Sequence, residues 1–339
     1  MLKRLSALTI FLLFASQTEG REPCPAGAPR LIIYHAGSLS SAFTAIEDLF
    51  TQQSGVCVVD VAGASVGILR RVAADRLPVD IYAGADYEVI DRMLKPAGYA
   101  DYSILFAGGA MVLAYTTDSR NASTIADPGS KFNPPEAVPA AAADWYRQLT
   151  QSGVTISGSH PFLDPGAYRA DMIFQLAQDL YAVPDLYNEL LFHYTIAKAP
   201  GGLGKVFDYQ FTYEHSARAA YKVDKTGTYR YVSLPDEISL GVPGMNRNYA
   251  KRSVVIPGLQ TVAAAPTVSI PATRVTWGIT LMNAAPNREH ALAFLQLLFS
   301  KEGAALLTAA GPAAISPPVV TKADYSHLPG SLKPLVQPQ

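Results

Sequence analysis

Hydrophobic and polar positions follow two interleaved periods over residues 30–112. Apolar runs at Leu31 to Tyr34, Val56 to Val61 and Val79 to Ala83 are short and continuous. Between and after them, Phe43, Ile46, Leu49 and Phe50, then Ile68, Leu69 and Val72, then Val89, Ile90, Met93 and Leu94 recur at helical spacing. Continuous strands separated by amphipathic helices predict a parallel sheet covered on both faces, the mark of an α/β unit. Met111 to Tyr115 reads as a further strand.

Beyond that strand the pattern loosens through Asp127-Pro128-Gly129, Asn133-Pro134-Pro135 and the alanines 140–143, which predicts entry into a second lobe. This lobe is expected to hold helices around Ala170 to Tyr181 and Pro184 to Tyr194, and strands near Tyr229 to Leu234 and Val275 to Leu281. The turn-forming stretch Asn283-Ala284-Ala285-Pro286-Asn287 suits a crossing back, ahead of a helix from Arg288 to Leu298 with Leu292, Leu295 and Leu298 on its apolar side. The predicted organisation is a first lobe from 28–112 and 286–330 and a second from 113–285. The residues after Pro317 look like a tail, of which 331–339 falls outside the lobe. A chain that leaves a lobe and returns to it makes a cleft with a hinge, and 339 residues exceed the usual size of a single core.

Composition adds exclusions. The chain is 49% hydrophobic and 16% charged with net charge -1, so no basic excess exists to neutralise a nucleic-acid backbone. Residues 1–20 read as a secretory signal, with Lys3 and Arg4 ahead of the apolar stretch Leu5 to Phe14 and small residues after it. That stretch is too short to span a bilayer comfortably, so the mature chain is expected to be exported and soluble. Cys24 and Cys57 precede or occupy the starts of the first two strands, and a disulfide between them is compatible with an oxidising compartment; the sequence leaves it open.

Candidate chemistry concentrates at strand ends. Tyr34-His35-Ala36-Gly37-Ser38-Leu39 and Ala62-Gly63-Ala64-Ser65-Val66 each carry a strand through glycine and serine into a helix. Such turns leave unpaired backbone N–H groups beside a hydroxyl, an anion cradle, and two in succession would face each other across a topological switch point. Either serine alone is most often an N-cap. Gly63-Ala64-Ser65-Val66-Gly67 also fits the G-x-S-x-G nucleophile elbow, and a Ser65, Asp164, His215 triad follows in hydrolase order; the elbow falls unusually early, and no oxyanion motif precedes it. Asp164-Pro165-Gly166-Ala167-Tyr168-Arg169 reads locally as a helix-entry cap, and Glu214 follows the alternating aromatics Tyr209 to Tyr213.

Together with Val79-Asp80-Ile81-Tyr82-Ala83-Gly84-Ala85-Asp86-Tyr87 and Leu234-Pro235-Asp236-Glu237-Ile238-Ser239-Leu240, these segments make the chain resemble the molybdate/tungstate-binding proteins of ABC importers, in particular the archaeal-type branch that holds the metal in six-fold coordination. The resemblance implies a two-lobed periplasmic binding protein fold of type II with a hinged inter-lobe cleft. It implies a periplasmic monomer without resident cofactor, whose ligand is molybdate or tungstate and whose partners are a permease and its ATPase subunit. It also implies the ligand set: Ser38 and Ser65 as donors, backbone N–H groups at Ala167 and Tyr168 assisting, and Asp164 and Glu214 coordinating the Mo or W centre directly. Gly166-Ala167 and the segment after Glu214 depart from the family pattern. Sulfate or ferric ion is the alternative ligand, and a secreted serine hydrolase using Ser65 is the alternative class.

Overall fold

The computed structural model describes residues 24–125, 145–197, 202–260 and 266–339. The expected signal segment and the loose stretch from Asp127 to the alanines 140–143 lie outside them.

The first lobe is built on β1 (Arg30–Ala36), β2 (Cys57–Gly63), β3 (Ile81–Gly84) and β4 (Ile104–Gly108). The chain then enters a second sheet with β5 (Met111–Thr116), β6 (Ile156–Gly158), β7 (Tyr194–Ile196), β8 (Tyr209–Tyr213) and β9 (Tyr229–Ser233). An antiparallel pair, β10 (Ser253–Pro257) and β11 (Thr267–Pro271), follows, and β12 (Thr276–Leu281), β13 (Ala313–Val320) and β14 (Gln337–Pro338) complete the first sheet. The two large sheets run in the orders β14-β13-β4-β12-β3-β1-β2 and β7-β6-β8-β5-β9. This is the α/β, two-lobed periplasmic binding protein architecture expected from the sequence, with the chain passing between lobes twice.

β1, β2 and β3 are parallel, as their continuous apolar runs predict, while β12 lies antiparallel between β3 and β4. The helix Ser40–Ser54 buries Ala42, Phe43, Ile46 and Phe50 at helical spacing. Phe43 and Phe50 meet Phe294 edge-on at 6.1 and 5.5 Å, so the helix Arg288–Leu298 returns onto the same face of the sheet. Gly55, with φ 70°, ends the first helix in the left-handed region that glycine enters without steric cost. Cys24 and Cys57 are joined in a disulfide that clamps the start of β2.

Three expectations about the lobes are corrected. Val275 to Leu281 was assigned to the second lobe, but β12 pairs with β3 and β4 and is buried at all six positions, the environment of a central strand of the first sheet. The return crossing therefore falls in 272–275, before β12, and not at the turn-rich Asn283 to Asn287. Met111 and Val112 pair with β8 and β9, so the outward crossing lies in 109–110, ahead of the expected boundary. The residues after Pro317 are not a tail. Leu328 and Leu332 are buried in the core, β14 pairs with β13, and Asp324 accepts from Lys95 Nζ (2.6 Å) and the Ser103 amide (3.0 Å).

Candidate functional site

The two serine turns sit side by side because the β1–β2 register sets Ala36 opposite Gly63. Ser38 lies in the single turn Gly37–Leu39 that feeds the helix Ser40–Ser54, and Ser65 is the first residue of the helix Ser65–Asp75. A Cβ at Gly37 would come to 3.9 Å from the Gly63 carbonyl oxygen, which measures how closely the turns approach. Ser65 is almost fully buried; its Oγ accepts from the Ala85 amide (3.0 Å), and its carbonyl accepts from the Tyr82 hydroxyl (3.2 Å). Ser38 Oγ accepts from Trp277 Nε1 (3.0 Å).

The second lobe brings the starts of two helices to these turns. Asp164 caps the helix Pro165–Tyr181, its Oδ1 accepting from the Gly166 amide (2.9 Å) and its Oδ2 from Ser159 Oγ (2.5 Å). The preceding residue, Leu163, accepts at its carbonyl from the amides of Val66 (3.0 Å) and Gly67 (3.1 Å), so Asp164 is held next to the Ser65 turn. Glu214 follows β8 directly and opens the helix Glu214–Val223, and its neighbour His215 places Nε2 2.9 Å from the Ser38 carbonyl. The position of Gly166 closes the perimeter: a Cβ there would stand 3.7 Å from the Tyr213 ring, the residue before Glu214. Ser38, Ser65, Asp164 and Glu214 are thus linked through immediate neighbours around one inter-lobe perimeter.

Other expected roles change. The amides of Ala167 and Tyr168 bond to the Asp164 carbonyl (3.1 and 3.2 Å), the first turn being tightened by an i to i−3 contact at Ala167, so they are not free donors. The Val66 and Gly67 amides are likewise capped by Leu163, which leaves the Ser65 turn with fewer open N–H groups than its sequence suggests. Glu214 Oε1 pairs with Arg218 (2.5 Å) one helical turn on, with both side chains more than a third exposed. The hydrolase triad is not assembled: His215 contacts Ser38 rather than Ser65, and Asp164 faces Ser159.

Sequence reasoning missed the contacts beneath the perimeter. The Tyr168 hydroxyl donates to Asp86 Oδ2 across the lobes (2.7 Å). The buried Arg169 guanidinium donates to the Ala85 carbonyl (2.6 Å) and the Tyr213 hydroxyl (2.9 Å), and lies 3.3 Å from Asp86. Asp86 neutralises this cation, so it presents no uncompensated charge to the cleft. Burial pushes the Tyr168 and Tyr213 hydroxyls well above the usual tyrosine range. Arg70 adds another tie, donating to the carbonyls of Phe162 (2.8 Å) and Gly258 (3.0 Å) in the second lobe. Tyr168, Arg169 and Asp86 all lie in the segments that carry the resemblance; only their pairing across the cleft is invisible in the sequence.

His35, Glu47 and Asp60 form a separate buried cluster behind β1, with candidate ligand atoms within 4.8 Å of one another. His35 Nδ1 lies 2.7 Å from the Ala36 carbonyl and Nε2 2.6 Å from Asp60 Oδ1. Two ligands of one tetrahedral zinc stand about 3.3 Å apart, farther than this nitrogen–oxygen contact. Burial lowers the His35 pKa, and the neighbouring Asp60 carboxylate more than offsets this, so it stands above the ordinary histidine value.

Residues 31–312, more than half the chain, match the bacterial extracellular solute-binding protein family. The molybdate/tungstate-binding protein WtpA of Pyrococcus abyssi is 29% identical over 371 residues, covering 99% of this chain and 98% of the relative. WtpA of Thermococcus kodakarensis is 29% identical over 342 residues, with 91% and 87% covered. Among solved structures, the sulfate-binding protein SubI from Mycobacterium tuberculosis superposes with a TM-score of 0.55 at 16% identity, covering 85% of this chain and 88% of that one, a likeness of fold. The chain belongs to the bacterial extracellular solute-binding protein family.

Proposed function

We propose that this chain is a periplasmic receptor that captures molybdate or tungstate between its lobes and delivers it to the permease and ATPase of an ABC importer. It acts as a monomer, by binding and release without catalysis and with no resident cofactor. What supports the reading is the perimeter: Ser38 and Ser65 stand on adjacent turns of one lobe, and contacts of the Ser38 carbonyl with His215 and of the Val66 and Gly67 amides with the Leu163 carbonyl bring the helix starts bearing Glu214 and Asp164 beside them. The two WtpA relatives, matched over nearly their whole length, support the ligand class.

The chemistry follows from the donor set. A dianion held by neutral hydroxyls at helix starts needs no formal cation, and the buried Arg169 beneath the perimeter is already compensated by Asp86. Two carboxylates beside a dianion would repel it unless their oxygens bind the metal centre itself. A hexavalent Mo or W accepts additional hard oxygen ligands, and sulfur or phosphorus does not. In this reading Asp164 and Glu214 enlarge the coordination shell and exclude sulfate. Glu214 must leave Arg218 to do so; an exposed i,i+4 pair is worth only about 0.3–0.5 kcal/mol, so release is easy.

Calorimetric titration of the mature chain with tungstate, molybdate, sulfate and phosphate tests the reading. The wild type should bind the first two and ignore the others. Asp164→Asn and Glu214→Gln should each weaken tungstate binding by about ten- to a hundredfold, the worth of one strong contact to a charged group. Variants that bind tungstate as tightly as wild type and still exclude sulfate would refute direct coordination.

A further inference from the structure

We propose that Trp277 is a positioning residue for the oxyanion site: its indole N–H occupies one acceptor position of the Ser38 hydroxyl and so biases the Ser38 proton toward the bound ligand. This inference rests on the oxyanion reading above and adds to it a residue outside the four on the perimeter.

An indole N–H only donates, so at 3.0 Å from Ser38 Oγ it forces that oxygen to accept. The hydroxyl's single proton must then point elsewhere, and among the described residues no protein acceptor takes it. Ser65 repeats the arrangement with a different donor: the Ala85 amide, also donor-only, occupies Ser65 Oγ at 3.0 Å. Both hydroxyl protons are therefore kept away from one side before any ligand arrives, and a rotor restricted in advance loses less freedom on binding.

Trp277 is itself immobilised, which the role requires. It is fully buried in β12, with its ring 4.9 Å from Tyr213 and 5.3 Å from His215, both from the second lobe. Its six-membered ring lies on Gly109, in the crossing between β4 and β5, where a Cβ would stand only 3.1 Å from the indole. His215 meanwhile places Nε2 2.9 Å from the Ser38 carbonyl. Ser38 is thus held by an indole of its own lobe and an imidazole of the other.

A double-mutant cycle on the full mature chain separates positioning from packing. Tungstate affinity is measured by calorimetry for wild type, Trp277→Phe, Ser38→Ala and the double variant, with sodium tungstate as titrant. Trp277→Phe keeps an aromatic ring and loses the N–H; its dissociation constant should rise about three- to tenfold, and that of Ser38→Ala about ten- to a hundredfold. Because Trp277 acts through the Ser38 hydroxyl, the double variant should bind like Ser38→Ala, within about twofold. Should Trp277→Phe not fold, a Trp145→Phe chain carrying benzothienylalanine at position 277 retains the fused rings and removes only the N–H, and the same comparison applies. Unchanged affinity without the N–H, or losses that multiply in the double variant, would overturn the inference while leaving the oxyanion reading intact. A wild type that ignores tungstate would instead overturn that reading and this inference together.

Discussion

His35 has surroundings that its neighbourhood in the chain does not record. In sequence it stands one position before the Ala36-Gly37-Ser38 turn; in the fold its ring is buried between Asp60 and the Ala36 carbonyl, with Phe43 edge-on at 4.9 Å. Burial lowers its pKa, but contact with the Asp60 carboxylate, together with the Ala36 carbonyl and the Glu47 charge from the helix Ser40–Ser54, outweighs burial and leaves it raised. A raised folded pKa stabilises the fold fully below the unfolded value of about 6.5, and the contribution is lost as pH rises through the folded pKa. The urea midpoint of wild type minus that of His35→Asn should therefore shrink as pH increases above about 6.5. A difference that grows over that window would contradict a raised pKa at His35. Asp164 offers the opposite lesson: the local reading, a helix cap, is fulfilled, and the ligand role proposed for it adds to the cap.

Among the elements, local pattern and pairing diverge most at β12 and β13. Both flank the returning helix Arg288–Leu298, and an apolar run such as Thr276 to Leu281 carries no mark of which sheet will take it. The helix Pro165–Tyr181, by contrast, has its entry written in the sequence, with Asp164 as cap and proline in the first turn, although it starts at Pro165 and not at the expected Ala170. The edge strand β2 is fastened by the Cys24–Cys57 bridge, which closes a 33-residue separation. By the chain-entropy account such a bridge contributes about 2–4 kcal/mol. The Cys24→Ser, Cys57→Ser double variant should unfold at correspondingly lower urea concentration while keeping its tungstate affinity, because the bridge lies at the amino end of β2 and Ser65 beyond the carboxyl end. A variant with wild-type stability would show that the bridge adds nothing to the fold.

At the scale of the whole molecule, the lobes are locked by a buried polar network. Asp86 of one lobe accepts from Tyr168 and pairs with Arg169 of the other, and Arg70 ties the helix Ser65–Asp75 to Phe162 and Gly258. Asp86→Asn leaves a buried guanidinium without its counter-charge, which costs about 3–5 kcal/mol. Parting the lobes would give that cation water. The variant should accordingly show a larger radius of gyration than wild type by small-angle scattering in the absence of ligand, and weaker tungstate binding. Identical scattering profiles would mean that the pair does not control closure.

By itself the sequence determined the alternation of strands and helices in the first lobe, the α/β class, the two serine turns and the capped helix at Asp164. Each of these depends on residues within a turn or two of one another, where hydrophobic period, glycine freedom and capping act directly. Only the tertiary structure decided that β12 belongs to the first sheet, that the end of the chain is woven into the core, that Ala167 and Tyr168 have no free amides, and that Asp86, Arg169 and Trp277 stand behind the site. Those outcomes turn on pairings between residues as distant as Ser38 and Trp277. A pairing of that kind is set by which buried donor meets which buried acceptor when two lobes close, and neither partner's neighbourhood in the chain records it.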